Sequence, residues 1–271
     1  MFTRNLVLSA LSASAFVLPS ALALAVKTVP PTSFVLVGDS TTANGTTPNS
    51  GGWGNGFCGS TITGNAASLA PGTPCINTAR NGATTGTFVA DGFWDASVAA
   101  IKGEVAKGRR TYSMGANLTA MVEEVRALGA EPVLVTSLTR RSFRSNGTVA
   151  DTLGPWADET ILIAQQQNTH VLDLHAASIK YVEAIGPDAA HRLNRLPEDN
   201  TRTFIAFPDG ETLSLDVISR VSYALADLNI NGTTVFGRMV ADLISASFPG
   251  QLPVIPNPAL TFNISHGIAS F

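Results

Sequence analysis

The stretch "SFVLVGDSTTANG", Ser33 to Gly45, decides how the chain is read. The apolar, β-branched run through Val37 is short and stops at Gly38, which predicts a buried strand. Ser40 then falls just past the strand's end. In open parallel sheets, ligands bind outside the carboxyl ends of the strands, so this position suits a nucleophile. It equally suits a residue that caps a turn or helix, and a bare Gly-Asp-Ser does not choose between the two.

Outward from that strand, "PCINTA" reads as a second one and "DASVAAIKGEVAKG" as a helix by its apolar spacing. "GANLTAMVEEVRALG" reads as a helix stopped by Gly129, and "EPVLVTSL" as a buried strand. A helix ("DETILIAQQQN"), a strand ("HVLDL") and a helix ("AASIKYVEAIG") follow, before a last amphipathic helix in "NGTTVFGRMVADLISASF". This order predicts a flavodoxin-like three-layer α/β/α sandwich around a mostly parallel sheet. The alternation fails once. "RRTYSM", Arg109 to Met114, reads as too short and polar for a buried strand, so an interior strand is expected to be missing and the chain to fold poorly.

Residues 1–25 carry Arg4 as their sole charge, a long apolar run broken by Pro19, and small residues before the end, as a secretory signal peptide does. Residues 26–271 then form one domain of a secreted, extracellular protein. No later stretch is apolar for long enough to span a bilayer, so no membrane partner is expected. A net charge of −3 offers no basic stripe for nucleic acid. Cys58 and Cys75 predict one disulfide in an oxidising compartment and are too few for a structural zinc site. No metal or organic cofactor is implied, and a monomer is expected. Sequons at Asn44, Asn117, Asn146, Asn231 and Asn263 fit a glycoprotein.

"VGDSTTANG", "GGWGNGF" and "NTARNGATTGTFVADGFWD" occur in an order that resembles the GDSL-type (SGNH) hydrolases, in particular their rhamnogalacturonan acetylesterase-like branch of secreted carbohydrate esterases. "LVTSLTRRSF" and "VLDLHAASIKYVEAIGPDAAHRLNRLPEDNT" are similar to that branch as well. The resemblance implies removal of O-acetyl groups from a plant cell-wall polysaccharide, pectic rhamnogalacturonan. It makes Ser40 the nucleophile and the amides of Ser40 and Gly82 the oxyanion hole. Trp53 reads as core packing, with a sugar platform as the alternative.

The family's base is a histidine in an Asp-x-x-His loop directly before the final helix. "LPEDNTR" carries the matching Asp199, but Arg202 stands where the histidine belongs, and a guanidinium cannot accept a proton. His191, with Asp188, fits the spacing elsewhere and is a surrogate candidate only. His175 follows a strand at the correct end, His170 lies at the wrong end, and His266 lies in the tail. The family's Gly-x-Asn-Asp block, whose Asn donates to the oxyanion, is also expected to be absent. The chain as written is therefore expected to be impaired. A polysaccharide-binding relative without turnover and an esterase for other esters are the alternatives. Residues 202–227 read as an atypical insertion, a translated intron. If codon 202 is CGT and the segment ends at an AG followed by the last two bases of an Asp codon, its excision leaves a histidine codon before Leu228.

Overall fold

The computed structural model describes residues 31–115, 119–195 and 228–271. Its centre is a parallel sheet of five strands: β1 (Thr32–Leu36), β2 (Cys75–Asn77), β3 (Arg110–Gly115), β4 (Glu131–Val135) and β5 (His170–Leu172). They lie in the order β2-β1-β3-β4-β5, the flavodoxin-like order.

The interior strand expected to be missing is present. "RRTYSM" forms most of β3, which lies between β1 and β4 and pairs Phe34 with Tyr112 and Met114 with Val133. Its polar residues misread as surface. Thr111 and Ser113 are fully buried on one face of the sheet, where the Thr111 hydroxyl meets that of Ser33 at 3.0 Å. Tyr112 and Met114 enter the core on the other face. The Thr111 hydroxyl, having a partner, costs little to bury, and threonine suits a strand, whereas the Ser113 hydroxyl is buried without a partner among the described residues.

One face is covered by α1 (Trp53–Cys58), α6 (Leu174–His191) and α7 (Ile230–Ser247), whose side chains share a core with Phe34, Leu36, Tyr112 and Val133. α2 (Thr85–Ala90) and α3 (Phe93–Ala106) cover the other face with α4 (Thr119–Ala127), around Val35, Val37 and Ile101. On that side α5 (Gly154–Gln166) packs Ala164 beside Leu134. α8 (Pro258–Ser265) lies against α7. The helix read from Gly115 begins only at Thr119, because Gly115 belongs to β3. The helix read as ending at Gly186 continues past a kink there to His191. Cys58 and Cys75 are joined in a disulfide that ties α1 to β2. Among the described residues no helix is long and apolar enough to cross a membrane.

Candidate active site

The backbone from Asp39 to Ala43 closes into one turn beyond β1. The Asp39 carbonyl accepts from the amides of Thr42 (3.1 Å) and Ala43 (2.8 Å). Its carboxylate accepts from the Thr41 amide (2.9 Å) and hydroxyl (2.8 Å). Ser40 is held in the middle of this turn, largely shielded from solvent.

Two sequence blocks hold the turn. Gly52 donates to the Ala43 carbonyl at 2.8 Å and Trp53 to the Thr41 carbonyl at 2.7 Å, so the start of α1 lies directly on it. A Cβ on Gly52 would sit 2.2 Å from the Thr41 oxygen, a distance no side chain tolerates, which is why this block is written with glycine. Trp53 is 2% exposed and packs against Phe57, so the core-packing reading holds and the sugar-platform alternative does not.

The second block follows β2. The Asn77 side-chain amide donates to the Thr42 carbonyl at 2.7 Å, and its oxygen accepts from the Ala79 amide at 3.1 Å. The Arg80 amide donates to the Gly38 carbonyl at 2.9 Å. Asn77 thus ties the serine turn to the loop that carries Gly82, a role that the spacing N-x-A-x-x-G carries but does not explain. Gly82 has φ +75°, a left-handed conformation that favours glycine. Among the described residues, neither the Ser40 amide nor the Gly82 amide donates to an acceptor, and the Ser40 hydroxyl has no partner. Two free N–H groups on adjacent loops beside a free hydroxyl are the parts that an oxyanion hole and its nucleophile require.

The end of β3 closes on the same region. A Cβ on Gly115 would lie 2.2 Å from the Val37 carbonyl oxygen, so the strand beside the nucleophile's own demands glycine at this point. The sequence from this glycine reads Gly115-Ala116-Asn117-Leu118, a Gly-x-Asn without the Asp that ends the block expected to be absent. Asn117 lies outside the described residues.

Asp199 and Arg202 also lie outside them, but the flanks of their segment are placed. Asn194 and Leu228 pair as an antiparallel bridge, and Leu228 exchanges hydrogen bonds with Gly51. Since Gly52 and Trp53 hold the serine turn, the residue preceding α7's cap comes within a few hydrogen bonds of Ser40. Arg141, fully buried, donates its Nε to the Asn194 side-chain oxygen and stacks 5.8 Å from the Phe236 ring.

The histidines sort by geometry. His191 donates Nε2 to the Arg141 carbonyl (2.8 Å) and sets its ring edge-on to Phe143. It makes no hydrogen bond with Asp188 and none with Ser40. His175 lies in the first turn of α6, 6% exposed, with Nδ1 on the Ser137 carbonyl (3.0 Å) and Nε2 on Asp151 Oδ2 (3.1 Å). Burial pushes the Asp151 carboxyl up. Hydrogen bonds from His175 and from the amides of Leu153 and Gly154 outweigh it and hold the group below its ordinary range. This carboxylate–imidazole pair was not legible in the sequence. Both its nitrogens are taken, and it caps β5, three strand spacings or about 14 Å from β1. It braces the loop after β4. His170 opens β5 at the amino end and His266 ends α8, as their positions in the sequence imply.

Among the described residues no cluster of histidine, cysteine and carboxylate side chains is arranged to hold a metal ion. Two open cavities, of about 420 and 470 Å³, lie at the amino ends of the strands, one beside Arg110 and His170 and one beside Pro31 and Leu252, away from Ser40.

No protein-family model matches the chain. It is 30% identical over 179 residues to the rhamnogalacturonan acetylesterase RhgT of Bacillus subtilis, covering 61% of this chain and 76% of that one. The solved structure of the YxiM protein of Bacillus subtilis superposes with a TM-score of 0.60 at 18% identity, over 83% of this chain and 59% of that one. A variant of an acetyl-xylooligosaccharide esterase from Geobacillus stearothermophilus aligns with a TM-score of 0.46 at 17% identity, over 79% of this chain and 96% of that one.

Proposed function

We propose, for a chain that belongs to the rhamnogalacturonan acetylesterase family of carbohydrate esterases, that it is built to deacetylate pectic rhamnogalacturonan outside the cell and is impaired as written. The observation that carries this reading is the trio of free groups at the carboxyl end of the sheet: the Ser40 hydroxyl and the amides of Ser40 and Gly82. Ser40 Oγ attacks the acetyl carbonyl, and the two amides stabilise the tetrahedral oxyanion. The sugar hydroxyl leaves with the acetyl group on Ser40, and water then releases acetate.

Both proton transfers need a base, and none of the placed histidines faces Ser40. The loop before the helix that corresponds to α7 is where the family keeps that base, and here the sequence carries Arg202. Loss of a triad histidine costs on the order of 10⁶-fold in kcat. The intact sheet supports a folded chain, so binding without turnover is its expected behaviour. The Cys58–Cys75 disulfide supports secretion after removal of residues 1–25.

The test is acetate release from acetylated rhamnogalacturonan by the full chain beside its Ser40→Ala variant. Equal, near-background rates are expected. Turnover by the unaltered chain well above that of the variant would mean that another group serves as base and that the chain is not impaired.

A further inference from the structure

Two arginines at the carboxyl end of the sheet lack the partners that an arginine ordinarily keeps. Arg80 follows β2, and its amide is fastened to Gly38, two residues before the nucleophile. Its guanidinium lies 5.3 Å from the Phe93 ring centroid and makes no hydrogen bond or ion pair. Stacking on a ring face fixes a guanidinium without consuming the donors in its plane. Arg140 follows β4. It reaches only Thr152 Oγ1, at 3.4 Å, while its Nε is buried and meets no acceptor. A buried donor on a permanent cation without an acceptor is costly and calls for a ligand. By contrast, Arg109, Arg110 and Arg238 are each paired with a carboxylate. Of the carboxylates in these loops, that of Asp39 accepts from Thr41 and that of Asp151 is bonded to His175.

The sheet order sets β2 and β4, the strands that lead to these arginines, on either side of β1, whose end carries Ser40. β2 neighbours β1, while β4 lies beyond β3, so the two strand ends are three spacings apart, about 14 Å. We propose that Arg80 and Arg140 are specificity-determining residues that grip carboxylates of an acidic polysaccharide on both sides of the acetylated sugar at Ser40. The ligand class is a uronate-bearing chain lying across the strand ends; a neutral acetylated chain such as xylan offers neither guanidinium an anion. Each fork takes a carboxylate by charge-assisted hydrogen bonds. This rests on the polysaccharide reading above and adds what selects the polysaccharide.

Calorimetric titration of the full chain tests it without requiring turnover. Three ligands are compared: acetylated rhamnogalacturonan oligosaccharides, the same oligosaccharides with their carboxyl groups reduced to alcohols, and acetylated xylo-oligosaccharides. The acidic ligand is expected to bind at least about tenfold more tightly than either neutral one, with an affinity that falls as salt rises. Arg80→Gln and Arg140→Gln should each cost about tenfold for the acidic ligand and little for the neutral ones. Arg140→Lys, which keeps the charge and loses Nε, should fall between Arg140→Gln and the unaltered chain and guards against misfolding at a part-buried site. Equal affinity for the acidic and carboxyl-reduced ligands, or a double Gln variant that binds as before, would overturn the role of the arginines and leave the polysaccharide reading intact. Binding to none of the three would overturn both.

Discussion

The Ser40 hydroxyl and the amides of Ser40 and Gly82 meet no partner, while Thr41, Thr42, Ala43 and Arg80 around them all donate. Unspent donors at a strand end persist because the turn and the β2 loop are fixed by other bonds, chiefly from Asn77 and Gly52. Gly52→Ala should force the start of α1 off the serine turn. A loss of about 1–3 kcal/mol in chemical denaturation is expected, and an unchanged midpoint would mean that the contact yields easily. Asp151 makes a prediction about pH. Its carboxyl is held below its ordinary value of 3.8 in the folded chain, so its contribution to stability is present above that value and is lost as pH falls through the lowered one. Its side chain is 34% exposed, so the contribution is screened and below about 1 kcal/mol. Asp151→Asn should flatten the acid limb of a stability–pH profile; an unaltered limb would place the acid sensitivity elsewhere.

At the scale of elements, β3 separates what could be read from what could not. β1 and β4 are apolar runs, and α3 to α7 repeat every three to four residues, so local pattern sufficed for them, whereas the short α1, α2 and α8 were not read. β3 hides its strand character in Thr111 and Ser113; the Thr111 hydroxyl is satisfied by a partner 78 positions away, Ser33. No window of sequence contains that pair. The same misreading moved Gly115 into a helix. With β3 in place the expectation of poor folding loses its basis. Hydrogen exchange should find the amides of Tyr112, Ser113 and Met114 among the most protected, at the level of global unfolding. Exchange there as fast as in an unfolded chain would mean that the sheet is open at its middle. Ser40 and Gly82 were legible because short motifs carry them. The free arginines, the His175–Asp151 brace and the role of Asn77 were not, since each depends on loops from different strands converging.

Across the whole molecule, the sheet and the serine turn are assembled, and the proposed base is the part without a placed counterpart. The described residues stop at Arg195 and resume at Leu228, and Asn194 and Leu228 are bridged to each other. An insertion whose ends already meet can be shortened without moving the elements it joins, since loop length alone costs little. That geometry supports reading 202–227 as added sequence, with Asp199 left in the loop before α7 once it is removed. The decisive measurement is acetate release from acetylated rhamnogalacturonan by a chain in which residues 202–227 are replaced by a single histidine. A rise of at least about 10³-fold over the unaltered chain, abolished again by Ser40→Ala, is expected. A folded replacement chain no more active than the original would contradict the assignment of Ser40 as a nucleophile awaiting its base.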